Sequence, residues 1–218
     1  MQARKLINKL LILIFVVLAI LYFSNEERII INSTDINQFE HLDIIVTSGQ
    51  SVQSKLLNLI NFSFDSYSHV GIICKENNAV FVLHSTTDGT KENGIRYDDL
   101  QCFIDLSNVN YYKILRSKNI AKSVSSINKD IEKYKTLDIP FDYDFDNINK
   151  DRIYCSELVY DILNSNGIIS TKFDLEKPIH PKIFTKLNEL KTVITRKSTA
   201  NKGKPFHKPI NFKNGKYK

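Results

Sequence analysis

Two apolar, β-branched runs, "SHVGIIC" (68–74) and "AVFVLHS" (79–85), stand only the four polar residues "KENN" apart. Runs of this length, separated by asparagines that favour turns, read as the two strands of a hairpin. A hairpin commits the middle of the chain to a sheet, and its register decides which side chains share a face. With Asn77-Asn78 as a two-residue turn, His84 lies opposite Gly71. His69 and His84 then become diagonal neighbours on one face, roughly 7 Å apart. A turn at Glu76-Asn77 puts them directly opposite each other, and an odd loop without a bulge separates their faces. The two histidines read either as polar residues at strand ends or as a pair of imidazoles serving a site.

The segments around the hairpin extend the sheet. "LDIIVTSG" (42–49) reads as a strand running into a turn, and "GIRY" and "VNYYKIL" as further strands. Helical spacing appears in "SVQSKLLNLINF" at Val52, Leu56, Leu57 and Ile60, and "NIAKSVSSINKDIEKYKTL" reads as a polar surface helix ended by Pro140. "PKIFTKLNELKTVI" (181–194) is a last helix or a helix-strand unit. Strands grouped mid-chain with helices at both ends predict an α+β domain, a sheet packed on helices.

"IYCSELVYDIL" (153–163) predicts one more amphipathic helix, with Leu158, Val159, Ile162 and Leu163 on one face and Gly167 as its stop. Cys155 falls in its first turn on the same face. Two readings stand: a small buried hydrophobe, or a nucleophile whose thiolate the positive end of the helix favours.

The 218 residues are enough for one domain with a sizeable core. Cys74, Cys102 and Cys155 are too few and too scattered for a disulfide framework or a zinc site, and no glycine-rich phosphate loop appears. Asp142 and Asp144 read as exposed turn residues and not as a metal pair. No metal or cofactor is expected. The net charge of +6 is concentrated in Arg196 to Lys218, which holds eight of the 30 basic residues and no acidic one. Without that segment the chain, with its 24 acidic residues, is near neutral. The segment lacks periodicity and reads as a disordered tail, either merely solvated or touching anionic lipid or polymer. No nucleic-acid module accompanies it.

"LLILIFVVLAILYF" (10–23) is fourteen residues without a polar break. Arg4, Lys5 and Lys9 precede it, so the positive-inside rule puts the N-terminus in the cytoplasm and the domain across the membrane. No small-x-small cleavage site follows, which favours an uncleaved signal anchor. The expected organisation is an anchor over 1–24, a linker over 25–39, a domain over 40–194 and a basic tail over 195–218.

The motifs "LDIIVTSGQSVQSKLLNLINFSFDSYSHVGII", "FVLHSTTDG", "NGIRYDDLQCF", "IPFDYDFD" and "YCSELVYDIL" resemble, in that order, circularly permuted papain-like proteins. The chain is similar to the YiiX/YebB-like branch of the NlpC/P60 superfamily, with lecithin retinol acyltransferase as a more distant relative. The resemblance covers residues 40 to 190, with "YSHVGI" and "YCSELV" its most specific parts. It implies Cys155 as nucleophile, His69 as base and His84 as the third polar residue. Glutamate is usual at the His84 position; a histidine there looks more like the acyltransferase branch. Leu42 stands where a glycine usually precedes the aspartate, and Phe141 replaces a tyrosine of the Pro-Tyr-Asp segment.

The implied activity is that of a cysteine hydrolase cleaving an amide or ester in an envelope peptide or lipid. The rival readings are a lipid acyltransferase or phospholipase-type enzyme and an inactive envelope-binding module. The expected location is the bacterial inner membrane, with the domain on the extracytoplasmic side. A C-terminal reporter active only outside the cytoplasm should therefore be active, and the protein should stay with membranes after alkaline washing. A silent reporter would overturn the orientation.

Overall fold

The computed structural model describes residue 29 and residues 33–49, 67–77, 79–87, 93–106, 109–174 and 176–197. The apolar run at 10–23, the helical spacing over 51–62 and the tail beyond 197 lie outside them. Among the described residues no helix is long and apolar enough to cross a membrane.

Six strands form one antiparallel sheet: β1 (Ile44–Gly49), β2 (His69–Glu76), β3 (Ala79–Thr86), β4 (Gly94–Asp99), β5 (Val109–Ser117) and β6 (Leu190–Lys197), in spatial order β4-β3-β2-β1-β5-β6. Four α-helices accompany it: α1 (Ser33–Gln38), α2 (Leu100–Leu106), α3 (Val124–Thr136) and α4 (Cys155–Ser165). The α+β expectation holds. The final unit is a helix-strand pair, a 3-10 turn over Pro181–Lys186 leading into β6. Its strand pairs Thr195, Arg196 and Lys197 with β5, so the sheet runs three residues past the expected boundary at 194. Of the expected linker at 25–39, residue 29 and residues 33–39 are described. They include α1, and Ile29 and Phe39 are buried in the core. Helix α2 has no counterpart among the elements expected from sequence.

The sheet is covered on both faces, and strand alternation sorts the core into two halves. Ile44, Val46, Val70, Ile72, Leu83 and Leu115 pack with Leu158, Val159 and Ile162 of α4 and with Ile127 and Ile131 of α3. Ile45, Ile73, Val82 and Ile114 point the other way, against Phe39 and against Leu100, Phe103 and Ile104 of α2. Helix α4 ends as its sequence predicts. Gly167 adopts φ 67°, donates its N–H to the Asn164 carbonyl at 3.0 Å, and Ile168 donates to Leu163 at 2.9 Å.

The edge of β1 carries a strained residue. Leu42 sits at φ 71°, a left-handed conformation that costs a β-carbon-bearing residue about 1–2 kcal/mol. Its N–H donates to the Ile73 carbonyl at 2.8 Å, which pins the conformation. Next to it, buried Asp43 accepts two hydrogen bonds from Arg116 of β5, each 2.8 Å, and one from the Glu40 N–H. Only 3% of Leu42 is exposed. Removing a buried leucine side chain costs about 2–5 kcal/mol, more than the strain it relieves. Leu42→Gly should therefore destabilise the fold by about 1–3 kcal/mol in chemical denaturation; a rise in stability would show that backbone strain outweighs the burial.

Candidate active site

The hairpin register is the one with the Asn77-Asn78 turn: Glu76 pairs with Ala79 and Ile72 with Leu83, which sets His84 across from Gly71. His69 and His84 are thus diagonal neighbours, and Nε2 of His69 lies 2.9 Å from Nδ1 of His84. Glycine at 71 is what leaves room for the two rings. A β-carbon there would come within 2.4 Å of a Val82 methyl and 3.3 Å of the His84 β-carbon. Phe103 of α2 stacks on His69 at 5.2 Å between centroids and meets the His84 ring edge-on at 4.9 Å, closing the pair off from water. His69 is 8% exposed and His84 fully buried.

The pair continues into a residue that the sequence reading passed over. His84 Nε2 lies 3.0 Å from Oδ2 of Asp98 on β4. Arg96 grips the same carboxylate through Nε at 2.9 Å and Nη2 at 3.1 Å. The available signal was the β3–β4 register, which pairs His84 with Arg96 and so brings Asp98, two residues on, to the same face. An ionised carboxylate only accepts hydrogen bonds, which settles the proton positions along the chain. His84 carries its proton on Nε2 and accepts on Nδ1; His69 donates from Nε2. The Nδ1 of His69 is then an unprotonated base, and it makes no hydrogen bond to a described residue.

Burial is the main force on both imidazoles and holds their pKa values below the ordinary histidine value. For His69 the neighbouring His84 lowers it further, while Asp98 partly offsets the effect at both rings. Burial pushes the Asp98 carboxyl up, but the hydrogen bonds and charges of His84 and Arg96 outweigh it and keep the group below its usual value. Both histidines are therefore neutral at rest.

Cys155 opens α4 from the other face of the sheet. Its thiol sits at the backbone N–H of Val70, the residue after His69, and 3.9 Å from Oγ of Ser156. Ser85 Oγ donates to the Ile153 carbonyl at 2.6 Å and ties the start of this helix to β3. The first intrahelical bond runs from the Leu158 N–H to the Tyr154 carbonyl, so the N–H groups of Cys155, Ser156 and Glu157 have no intrahelical acceptor. The structure thus joins His69 to His84 on the face that Phe103 covers and places Cys155 on the opposite face, at the backbone of Val70, without a hydrogen bond between thiol and imidazole.

The expected preference for thiolate is reversed in this arrangement. Burial pushes the Cys155 thiol up, and the hydrogen bonds from Ser156, Val70 and its own backbone only partly offset that. A carboxylate lies in the same turn. Glu157 is fully buried and its Oε1 pairs with Lys150 at 2.7 Å, yet burial still raises its pKa to about 7. Asp142, expected to be exposed, is 2% exposed and accepts the Asp144 N–H at 2.9 Å; Asp144 is exposed. Phe141 is a core residue with its ring edge-on to Tyr143 and Phe145.

A helix with a cysteine at its start, leaning on an antiparallel sheet whose histidine strand comes earlier in the chain, is the permuted form of the papain-like arrangement. Residues 38–202 match the family described as permuted papain-like amidase enzymes, YaeF/YiiX, C92 family. The chain belongs to this family of amidase-type hydrolases. No curated protein matches it. Among solved structures it resembles the crystal structure of the metalloprotein yiiX from Escherichia coli O157:H7, with 21% identity and a TM-score of 0.58 over 73% of this chain and 98% of that one. Among the described residues of this chain, no three His, Cys, Asp or Glu side chains converge as a metal-ligand group.

The neutral histidines have a consequence for stability. Unfolding frees both rings to protonate at their ordinary pKa of about 6.5, so the unfolded state binds more protons below that pH. Their stabilising share is complete above about pH 6.5 and is lost as the pH falls toward the depressed folded values. The urea midpoint should drop between about pH 7 and pH 5, and drop less in a His69→Gln/His84→Gln variant. Equal pH dependence in the two proteins would contradict the assignment of neutral, buried imidazoles.

Proposed function

We propose that the protein is a membrane-anchored cysteine hydrolase that cleaves an amide or ester of a cell-envelope substrate through a thioester on Cys155. The observation that carries this reading is the directed chain Asp98–His84–His69, which ends in a bare Nδ1 on the residue that precedes Val70, whose backbone seats the thiol on the opposite face of the sheet. With the thiol raised and the imidazole lowered, the resting pair is neutral, so His69 acts as general base when substrate arrives. His69 lies at the first residue of β2, on the face opposite the thiol, so the step requires its ring to turn past that strand end, where Nδ1 takes the Sγ proton as sulfur attacks the carbonyl carbon. The free N–H groups at the start of α4 receive the developing oxyanion. His69 then protonates the leaving amine or alcohol, and water, activated by the same nitrogen, hydrolyses the thioester.

Asp98 fixes the tautomers and orientation of both rings. Its charge is shared with Arg96, so its effect on the imidazolium of His69 comes mainly through the polarised hydrogen-bond chain. It supplies the carboxylate that the relatives usually have at position 84, one residue further from the base. The hydrophobic run at 10–23 supports membrane attachment with the domain on the extracytoplasmic side, and the basic segment after 197 supports contact with anionic lipid.

Labelling by an electrophilic thiol probe, together with turnover of muropeptide and phospholipid substrates, tests the mechanism. Cys155→Ala should abolish both. Loss of turnover with the thiol intact should follow His69→Ala, and labelling should recover only as pH rises above the ordinary cysteine pKa of about 8.5, because burial still raises the thiol. His84→Glu would face Asp98 with only Arg96 between two carboxylates and should be poorly active alone. Adding Asp98→Asn should restore activity. Turnover surviving in Cys155→Ala would overturn the thioester mechanism, and no rescue by the second substitution would overturn the role given to Asp98.

A further inference from the structure

Val46 of β1 pairs with Val70 on one side and with Lys113 of β5 on the other. Two strand spacings therefore separate Val70, where the thiol sits, from Lys113, about 10 Å. All three residues face α4, because Val46 and Val70 share the core half that contains Cys155 and because Tyr111 and Leu115, which flank Lys113, pack there too. Lys113 is half-buried and forms no ion pair with a described carboxylate. Its ammonium lies 5.6 Å from the ring centre of Tyr67 and 5.9 Å from that of Tyr111. Tyr67 is 5% exposed, and its hydroxyl donates to that of Tyr111 at 3.5 Å.

From this cluster we infer an anion subsite: Lys113, with the Tyr111 hydroxyl, binds a carboxylate or phosphate group of the substrate whose acyl carbon is presented to Cys155. The inference rests on the acyl-transfer reading above and narrows its substrate. The donors are arranged in one direction. The hydrogen bond with Tyr67 favours the charged form of Lys113, and burial drives the Tyr67 phenol up to about 12, so the cluster holds a cation beside a neutral Tyr67 hydroxyl. Tyr67 gives its proton to Tyr111, which leaves the Tyr111 proton free for an incoming oxygen. A half-buried ammonium between two aromatic faces, with no carboxylate partner among the described residues, has room for a counter-charge that an anionic substrate supplies. The 10 Å span corresponds to roughly two to three residues of extended peptide, or to the reach from a phosphate to an acyl ester a few bonds away. Two sources share this chemistry, a terminal peptide carboxylate and a phospholipid headgroup.

Three electrophiles of matched length separate them: chloroacetyl-glycylglycine with a free carboxylate, its neutral amide, and chloroacetyl-aminobutyl phosphate. In each, Sγ displaces chloride and its proton leaves to the base. The anionic probes should label Cys155 about tenfold faster than the amide in the wild type. In Lys113→Met that preference should fall to near unity, with the amide rate unchanged, and Tyr111→Phe should lose part of it. The faster of the two anionic probes identifies the source. Binding of acetyl-glycylglycine and its amide to Cys155→Ala, by calorimetry, reads the subsite without chemistry. An anion preference in binding that persists in Cys155→Ala/Lys113→Met, or its absence from Cys155→Ala, overturns the subsite. Preference in binding with no labelling of wild-type Cys155 supports the subsite and instead sinks the acyl-transfer reading.

Discussion

A single hydrogen bond, 2.9 Å between His69 and His84, sets the terms for everything around it. Two buried imidazoles can share a proton in one direction only, and Asp98 decides which. Once the carboxylate has claimed the Nε2 proton of His84, His69 must donate from Nε2 and expose Nδ1. The rest of the site serves this contact. Gly71 opens the space, Phe103 seals it from water, and Arg96 fixes the carboxylate. A buried imidazolium would have to be stabilised against its loss of hydration, so the neutral form prevails. The base is then held ready without storing charge.

The same desolvation acts on the nucleophile. The start of a helix offers a sulfur anion partial positive charge, yet burial outweighs it at Cys155. The buried, half-neutralised Glu157 in the same turn adds no help to a thiolate. A protonated thiol on one face of the sheet and an unprotonated imidazole on the other react slowly until a bound electrophile and the base are brought together at the sulfur. This is a different regime from that of a preformed thiolate–imidazolium pair, and it follows from packing.

Much of this was legible in the residues. Alternation and turn chemistry found all of the strands in the hairpin and its neighbours, and one of three proposed registers placed the histidines correctly. Periodicity found α4 and its glycine stop. Helix α2 was missed because its seven residues are too few to show a period. Asp98 was missed for a related reason: its importance lies in its register against His84 on the neighbouring strand, which no local pattern reveals. The exposed reading of Asp142 failed because a turn residue can be buried when the chain packs over it. Within the stretch read as a linker, Phe39 is buried in the core, an apolar contact that the polar residues around it did not signal.

The permuted order of the elements also bears on how the site comes into being. The two histidines are 15 residues apart on one hairpin, a contact that closes early because a short loop costs little entropy. Cys155 lies far downstream, beyond β5 and α3. In a chain made from its N-terminus, the two histidines and Asp98 can pair while Cys155 has yet to be synthesised. Under the proposed roles, reactivity is then the last property that the growing chain acquires, because no nucleophile exists until α4 has been made.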